Sequence, residues 1–340
     1  MSTPKVIHVG VIGAGRIGKI HAGNLANRIP GVVVEAIADP NFDFARDLAE
    51  KLHVAKVYED YRKIMEDPAI DAVAICSSTA THAQFMIEAA QAGKHIFCEK
   101  PVDHTLEKID AAIAAVKKAG VKCQIGFNRR FDPNFKKVRE LVSTGKIGDL
   151  HTLRIISRDP APPPAEYVKG SGGMFLDMTI HDFDMARYLS GSEVEEVYAI
   201  GAVLVDPEIG KAGDIDTAVI TLKFANGAIG TIDNSRKAVY GYDQRVEVFG
   251  SGGMATTANN TANAASYHGA DGVVSEKPLY FFLERYMDSF IAEMSDFITA
   301  VREDKPTPVG VEDGRKPVVI AMAAAKSMKE NRPVKCSEIR

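Results

Sequence analysis

The strongest constraint on this chain is its first apolar run and the turn that ends it. Residues 6–12 (VIHVGVI) are too few for a buried helix, and they empty into Gly13-Ala14-Gly15-Arg16-Ile17-Gly18, a G-x-G-x-x-G turn. In a strand–turn–helix unit the first glycine permits the tight turn and the second lets the backbone approach a pyrophosphate. The third lets helix and strand pack closely. The helix that follows opens on N–H groups with no intrahelical partner, which suit a phosphate. A second apolar run, residues 32–38, ends at Asp39. That acid stands about 20 residues beyond the last glycine, the spacing of a carboxylate that binds the adenosine ribose. Asp39 is followed by Pro40 and no arginine stands beside it, which favours NAD, because a carboxylate repels the extra phosphate of NADP. A plain strand–helix turn explains the glycines, and a strand-end turn explains Asp39, but neither explains the pair at this spacing.

Short apolar runs continue at residues 72–75, 95–98 and 122–126, with helical patterns at 82–92 and 106–119 between them. Runs this short, bounded by Gly, Asp or Pro, read as strands buried on both faces, so this half is expected to be a parallel α/β sheet. The pattern changes near Arg130. A helical segment (134–142) leads to a strand-like run (151–156), a proline-rich loop (161–165) and a helix at about 175–189. Longer alternating segments follow at 194–205, 217–224, 228–234 and 244–249, and Asn226-Gly227 marks a hairpin between two of them. Helical stretches at 279–302 and 312–329 close the chain. The expected organisation is a dinucleotide-binding domain over residues 1–126 and an α+β domain with an antiparallel or mixed sheet over 127–340.

Two further segments carry chemistry. Cys98-Glu99-Lys100-Pro101 closes a strand, and ligands of open α/β sheets bind outside the carboxyl ends of strands. Pro101 keeps Lys100 extended. An ammonium fixed there would stabilise a developing alkoxide, whereas a solvated loop lysine would do nothing. The second segment runs from Gly172 to Asp184. Asp177, His181 and Asp184 fall on one face of an expected helix, with Met178, Ile180 and Phe183 toward the packed side. A histidine beside carboxylates serves as a general base near neutral pH, with an aspartate orienting the ring. Two other readings stand beside it: Asp177 as a cap with His181 a satisfied interface histidine, or an Asp–His metal site, which no further histidine cluster supports.

Composition removes several function classes. The 340 residues suit two domains. With 41 Lys and Arg against 45 Asp and Glu, the net charge of −4 argues against nucleic acid as a partner. Hydrophobic residues at 46% and charged residues at 25% fit a globular chain rather than a disordered one. The four cysteines, Cys76, Cys98, Cys123 and Cys336, form no C-x-x-C pair, so reduced thiols are expected rather than disulfides or zinc. The N-terminus lacks a cleavage pattern, and no stretch approaches the ~20 apolar residues of a membrane span. A soluble cytoplasmic protein is expected.

Taken together, GAGRIG, CEKP, GFNRRFDPNF (126–135) and GGMFLDMTIHDFDMARYL (172–189) resemble the Gfo/Idh/MocA oxidoreductase family, and within it the members that act on inositols. The resemblance runs through the final VEDGRKPVVIAMAAAKSMKENRPV. It implies a Rossmann domain followed by an α+β domain on a large, open, mostly antiparallel sheet that pairs across subunits, often giving homotetramers. It implies a catalytic set of Lys100, Asp177 and His181, and NAD contacts from Gly13, Gly15, Arg16, Ile17, Gly18 and Asp39. Further cofactor contacts are implied at Ser77, Ser78, Thr79, His82, Glu99 and Lys100, with Asn128 and Arg129 near nicotinamide or substrate. Asp184, Tyr240 and Asp159 are implied substrate ligands. Ser77-Ser78-Thr79 stands where Thr-Pro-Asn is common in the family. The function so implied is NAD-dependent oxidation of myo-inositol to 2-keto-myo-inositol, without a metal. Other readings are a dehydrogenase of scyllo- or chiro-inositol or of a pyranose, a non-catalytic NAD-sensing regulator, and a metal-dependent lyase or hydrolase.

Overall fold

The computed structural model describes residues 5–340. The chain divides into two compact units. The first takes residues up to Phe131 together with Asp288–Lys316, and the second takes Asp132–Met287 and Pro317–Arg340.

The first unit is built on six parallel strands: β1 (Ile7–Ile12), β2 (Val32–Ala38), β3 (Lys56–Tyr58), β4 (Ala72–Ile75), β5 (His95–Glu99) and β6 (Cys123–Gly126). Their spatial order is β3-β2-β1-β4-β5-β6. Strands β4 and β6 are buried at every position, as crossover helices on both faces require. The order reverses between β1 and β4, so the loops leaving these two strands open the crevice where such sheets bind ligands. Helices Arg16–Asn27, Phe42–Leu52, Thr79–Gln91 and Leu106–Ala119 supply the crossovers.

One expected boundary does not match these units. Residues 288–316 were expected with the second domain, yet they complete the first. Helix Met287–Arg302 contributes Met294, Phe297 and Ile298 to the core that also holds Val9, Leu25, Ile37 and Phe97. Each such side chain, fully buried, contributes about 2–3 kcal/mol, so the late helix follows its apolar stripe and not its position in sequence. The helix expected over 279–302 is also interrupted, Phe282–Arg285 being separated from Met287–Arg302 at Tyr286.

The second unit holds a mixed, mostly antiparallel sheet of seven strands. These are β7 (Leu150–Arg158), β8 (Val194–Ala202), β9 (Thr217–Phe224), β10 (Ile229–Ser235), β11 (Asp243–Gly250) and β12 (Gly253–Thr256), while β13 (Ser266–Gly269) and β14 (Gly272–Ser275) form a separate hairpin. With β15 (Val334–Lys335) the order is β12-β11-β7-β10-β9-β8-β15. Only β7 and β10 pair in parallel. Register fixes two faces. Ile155, Ile220, Ile232 and Val246 lie on the buried one. On the other, Ile200, Val219, Ile229, Phe249 and Met254 are exposed beside Arg154, Lys223 and Glu247. Helices Pro133–Ser143 and Ile180–Ser190 belong to this unit. β8 stops at Ala202, short of the expected 205, because Asp216 captures the N–H groups of Leu204, Val205 and Asp206 and bends the chain away.

Candidate active site

In the first unit β1 runs into the glycine turn. Gly13 has φ +102°, and a Cβ there would stand 2.6 Å from the Cys76 carbonyl. A Cβ on Gly18 would stand 1.9 Å from the Gly13 oxygen, so both positions exclude a side chain. Gly15 faces open space, and it precedes helix Arg16–Asn27 with no side-chain cap. The first-turn N–H groups, with Arg16 exposed and Ile17 half-buried, are therefore available to an anion. This cradle fits a pyrophosphate. Asp39 closes it from the end of β2: one carboxylate oxygen accepts the Ala14 N–H (2.7 Å) and the other the Asn41 N–H (2.8 Å). Asp39 thus shapes the glycine turn from the end of the second strand.

The loop after β4 carries Ser77, Ser78 and Thr79. The Ser77 hydroxyl bonds Thr81 (2.7 Å), and Ser78 precedes the helix that Thr79 begins. His82 is buried, with its ring between the Ser77 carbonyl (3.0 Å) and the Pro101 carbonyl (2.8 Å). Burial lowers its pKa, and a neutral ring donates to one carbonyl at a time. His82 therefore ties the loop after β4 to the loop after β5, a brace rather than a group held out to a ligand. Glu99 is also turned inward: one oxygen pairs with His21 (2.7 Å) and the other accepts the Lys100 N–H (3.2 Å). Lys100 is half-buried, and its bond to Pro101 is cis. Asn128 and Arg129 are buried on a single 3-10 turn, Asn128–Phe131.

In the second unit the expected single helix is two. Gly173–Asp177 and Ile180–Ser190 are separated at Met178 and Thr179. Gly172 and Gly173 both take positive φ where the first of these helices begins. Asp177 and His181 are therefore not one turn apart on a continuous helix. At the break the Thr179 N–H reaches back five residues to the Met174 carbonyl (2.9 Å), and a buried amide braces the segment from beneath. Asn234, wholly buried on β10, accepts the Thr179 hydroxyl (2.6 Å) and donates to Asp182 (2.9 Å) and to the Ser157 carbonyl (3.2 Å). These bonds anchor the residues on both sides of His181.

Asp177 is gripped from two directions. The Tyr167 hydroxyl donates to one oxygen and Arg236 to the other, each at 2.9 Å. Arg236 also reaches Asp159 at 3.3 Å. Burial works against the Arg236 charge, but Asp177 and Asp159 hold its pKa above the usual value. Asp159 and Asp177 thus meet at one guanidinium. The other two substrate candidates have different partners. Asp184 is buried and lies 3.6 Å from Arg187. The Tyr240 hydroxyl donates to Asp243 (2.6 Å) and accepts from Arg158 (3.0 Å), and burial followed by the Asp243 bond raises its pKa. Sequence reasoning missed Arg236, Asn234, Tyr167 and His21. The only signal for the first two was their position at or just beyond the end of the alternating run 228–234.

Comparison with known proteins identifies the family. Residues 7–127 match the oxidoreductase family with an NAD-binding Rossmann fold, and residues 135–256 match the GFO/IDH/MocA C-terminal domain. The chain is 54% identical over 333 residues to a Myo-inositol 2-dehydrogenase of Thermotoga maritima, covering 98% of this chain and 99% of that one. It is 41% identical over 329 residues to an Inositol 2-dehydrogenase of Rhizobium meliloti, covering 96% and 98%. A solved structure of scyllo-inositol dehydrogenase from Lactobacillus casei, with bound NAD(H) and scyllo-inositol, aligns at TM-score 0.92 and 32% identity over 98% of this chain and 100% of that one. With a nucleotide cradle at β1 and matches across both units, the chain belongs to the Gfo/Idh/MocA family and is an NAD-dependent oxidoreductase.

Proposed function

We propose that this enzyme oxidises myo-inositol at one ring carbinol to 2-keto-myo-inositol, with Lys100, Asp177 and His181 as its catalytic residues. The observation that carries this reading is the near full-length similarity to the Thermotoga maritima protein. When bound, NAD⁺ supplies the hydride acceptor. His181 accepts the substrate hydroxyl proton. Asp177, held between Tyr167 and Arg236, orients His181 and supports its charge. Lys100 stabilises the negative charge developing on the oxygen. Gly13, Gly15, Arg16, Ile17, Gly18 and Asp39 hold the cofactor, with Ser77, Ser78 and Thr79 beside them and Asn128 and Arg129 toward its reactive end. Asp159 shares Arg236 with Asp177, so a polyol hydroxyl bonded there meets a carboxylate already fixed in direction. Asp184 and Tyr240 complete the substrate set. A polyol gives up many bonds to water on binding and must regain them from such groups.

The test is NADH formation from myo-, scyllo- and chiro-inositol and common pyranoses, with NAD⁺ and NADP⁺ compared. Myo-inositol with NAD⁺ is expected to give the highest kcat/KM. Preference for scyllo-inositol would move the assignment to that isomer, the second reading, which the Lactobacillus casei neighbour favours. Activity abolished by chelation would refute the metal-free mechanism.

The open face of the seven-stranded sheet, with Ile200, Val219, Ile229, Phe249 and Met254 exposed, favours pairing with further copies of the chain as a homotetramer. No helix among the described residues is long and apolar enough to cross a membrane. Four free cysteines favour a reducing, cytoplasmic setting. A role in inositol catabolism goes with the proposed substrate.

A further inference from the structure

We propose that His21, Glu99 and Glu293 form a buried ionisable triad in which Glu99, held by His21, positions Lys100 through its backbone N–H. The proposal rests on the reading of Lys100 given above. All three residues belong to the first unit, and none reaches solvent to a useful extent: His21 and Glu293 are wholly buried and Glu99 nearly so. Their polar atoms lie within 4.8 Å of one another. The His21 Nε2 contacts Glu99 at 2.7 Å and stands 3.9 Å from Glu293. The imidazole is wedged edge-on between Phe97 (4.8 Å) and Phe290 (5.7 Å), so the ring has no path to water.

Protonation follows from the partners. Neither carboxylate oxygen of Glu293 has a hydrogen-bond partner. An ionised carboxylate so placed would cost several kcal/mol. Burial, with the neighbouring Glu99, raises the Glu293 pKa well above the carboxylate range, so Glu293 holds a proton. His21 Nδ1 also has no partner. A bare ring nitrogen tolerates that position better than a buried N–H would, so His21 is neutral and donates from Nε2 to Glu99. One negative charge remains, on Glu99, and its second oxygen accepts the Lys100 N–H at 3.2 Å. The groups facing the cluster are Cys76 beyond β4, His82 on its helix and Lys100 beyond β5. The Gln124 amide of β6 donates to the Glu293 carbonyl at 2.6 Å. Gly126, paired with Glu99 across the sheet, leaves the carboxylate its space, since a Cβ there would stand 3.0 Å from the carboxyl carbon.

Apolar residues of similar volume would fill this space at little cost to stability. The ionisable trio therefore has a different use: it fixes, from inside the core, the strand end that presents Lys100. Glu99 is the positioning residue, His21 holds its orientation through the 2.7 Å bond, and Glu293, kept neutral beside it, adds no second charge.

The test compares E99Q, H21L, H21Q, E293L, E293Q and K100M in the full-length enzyme. It measures inositol-dependent kcat and KM against pH, NADH affinity by cofactor fluorescence, and Tm. E99Q and H21L are expected to lower kcat by ~10- to 100-fold, as misplacement of a catalytic group does, to shift the acid limb of the kcat profile, and to leave NADH affinity within about twofold. H21Q, which keeps a donor, should recover part of the H21L loss, and E293Q should stand closer to wild type than E293L. Variants that change Tm alone, with kcat and its pH profile unmoved, overturn the proposal. K100M separates the two layers: full turnover in K100M refutes the reading of Lys100, whereas loss in K100M with none in E99Q refutes the triad alone. Nitrogen-15 NMR of His21, assigned with H21Q, gives a second measure. A ring whose proton sits on Nε2 and is hydrogen-bonded supports the triad, and a ring protonated at Nδ1 alone overturns it.

Discussion

Replacing Asn234 by leucine tests whether the break between the two short helices is what holds His181 in place. Leucine has nearly the shape of asparagine, so the change removes bonds more than volume. Three are lost: the donation to Asp182 at 2.9 Å, the donation to the Ser157 carbonyl at 3.2 Å and the bond from the Thr179 hydroxyl at 2.6 Å. Two neutral bonds at about 1 kcal/mol each and one to a carboxylate at about 2 give a loss near 4 kcal/mol. Against a total stability of roughly 5–15 kcal/mol this is large. In a unit of this size it corresponds to a fall in Tm of roughly 8–15 °C. Because Thr179 and Asp182 flank His181, kcat should fall by ~100-fold in protein that is still folded. Circular dichroism melting and steady-state NADH formation at a temperature well below the new Tm measure the two effects. T179V alone should cost about 1 kcal/mol, and the double variant should cost less than the sum, since the two residues share a bond. A Tm within about 2 °C of wild type, with kcat within twofold, would refute the argument.

H181A should depress kcat by roughly 100-fold or more while NADH affinity is kept, and near wild-type turnover would remove His181 as the base. G13A should weaken NAD binding at least ~10-fold, because its Cβ meets the Cys76 carbonyl at 2.6 Å in a backbone conformation only glycine adopts freely; fluorescence titration with NADH reads it. Asp216 resists the pull of burial through the Leu204, Asp206 and Val205 N–H groups and the Thr217 hydroxyl, which together lower its pKa. A carboxylate lowered on folding stabilises the protein above its unfolded value near 4 and loses that contribution as pH falls through the lower folded value. D216N should therefore be less stable than wild type at pH 7, and the gap should narrow in acid, as urea titrations at several pH values would show. Burial pushes the Cys76 and Cys98 thiols well above their usual range, Cys123 to about 12 and half-buried Cys336 to about 11. The native enzyme should react slowly with thiol reagents at pH 7, with Cys336 first.

Much of the fold was legible because its signals are local. The strand runs 32–38, 72–75 and 217–224 and the helix 106–119 coincide with the structure, since burial on both faces and strict alternation are written in consecutive residues. Short or exposed elements such as β3, β13 and β14 carry no such pattern and were not foreseen. Neither was the helix Ala165–Ser171, which follows directly on the proline-rich loop.

The sequence by itself determined the nucleotide cradle, because Gly13, Gly18 and Asp39 act through backbone geometry within a single βαβ unit. It also determined the order and type of most strands, and the residues on which catalysis is proposed to rest. Tertiary structure alone decided three matters. It assigned residues 288–316 to the first unit, because Met294 and Phe297 find their apolar partners there. It broke the Asp177–His181 helix at Met178 and Thr179, where the Thr179 N–H reaches back to Met174 and the Thr179 and Asp182 side chains find Asn234. It turned Glu99 and His82 inward, because a buried polar atom must find its partner wherever the fold supplies one. Such partners lie tens to hundreds of residues apart, beyond the reach of any periodicity or spacing.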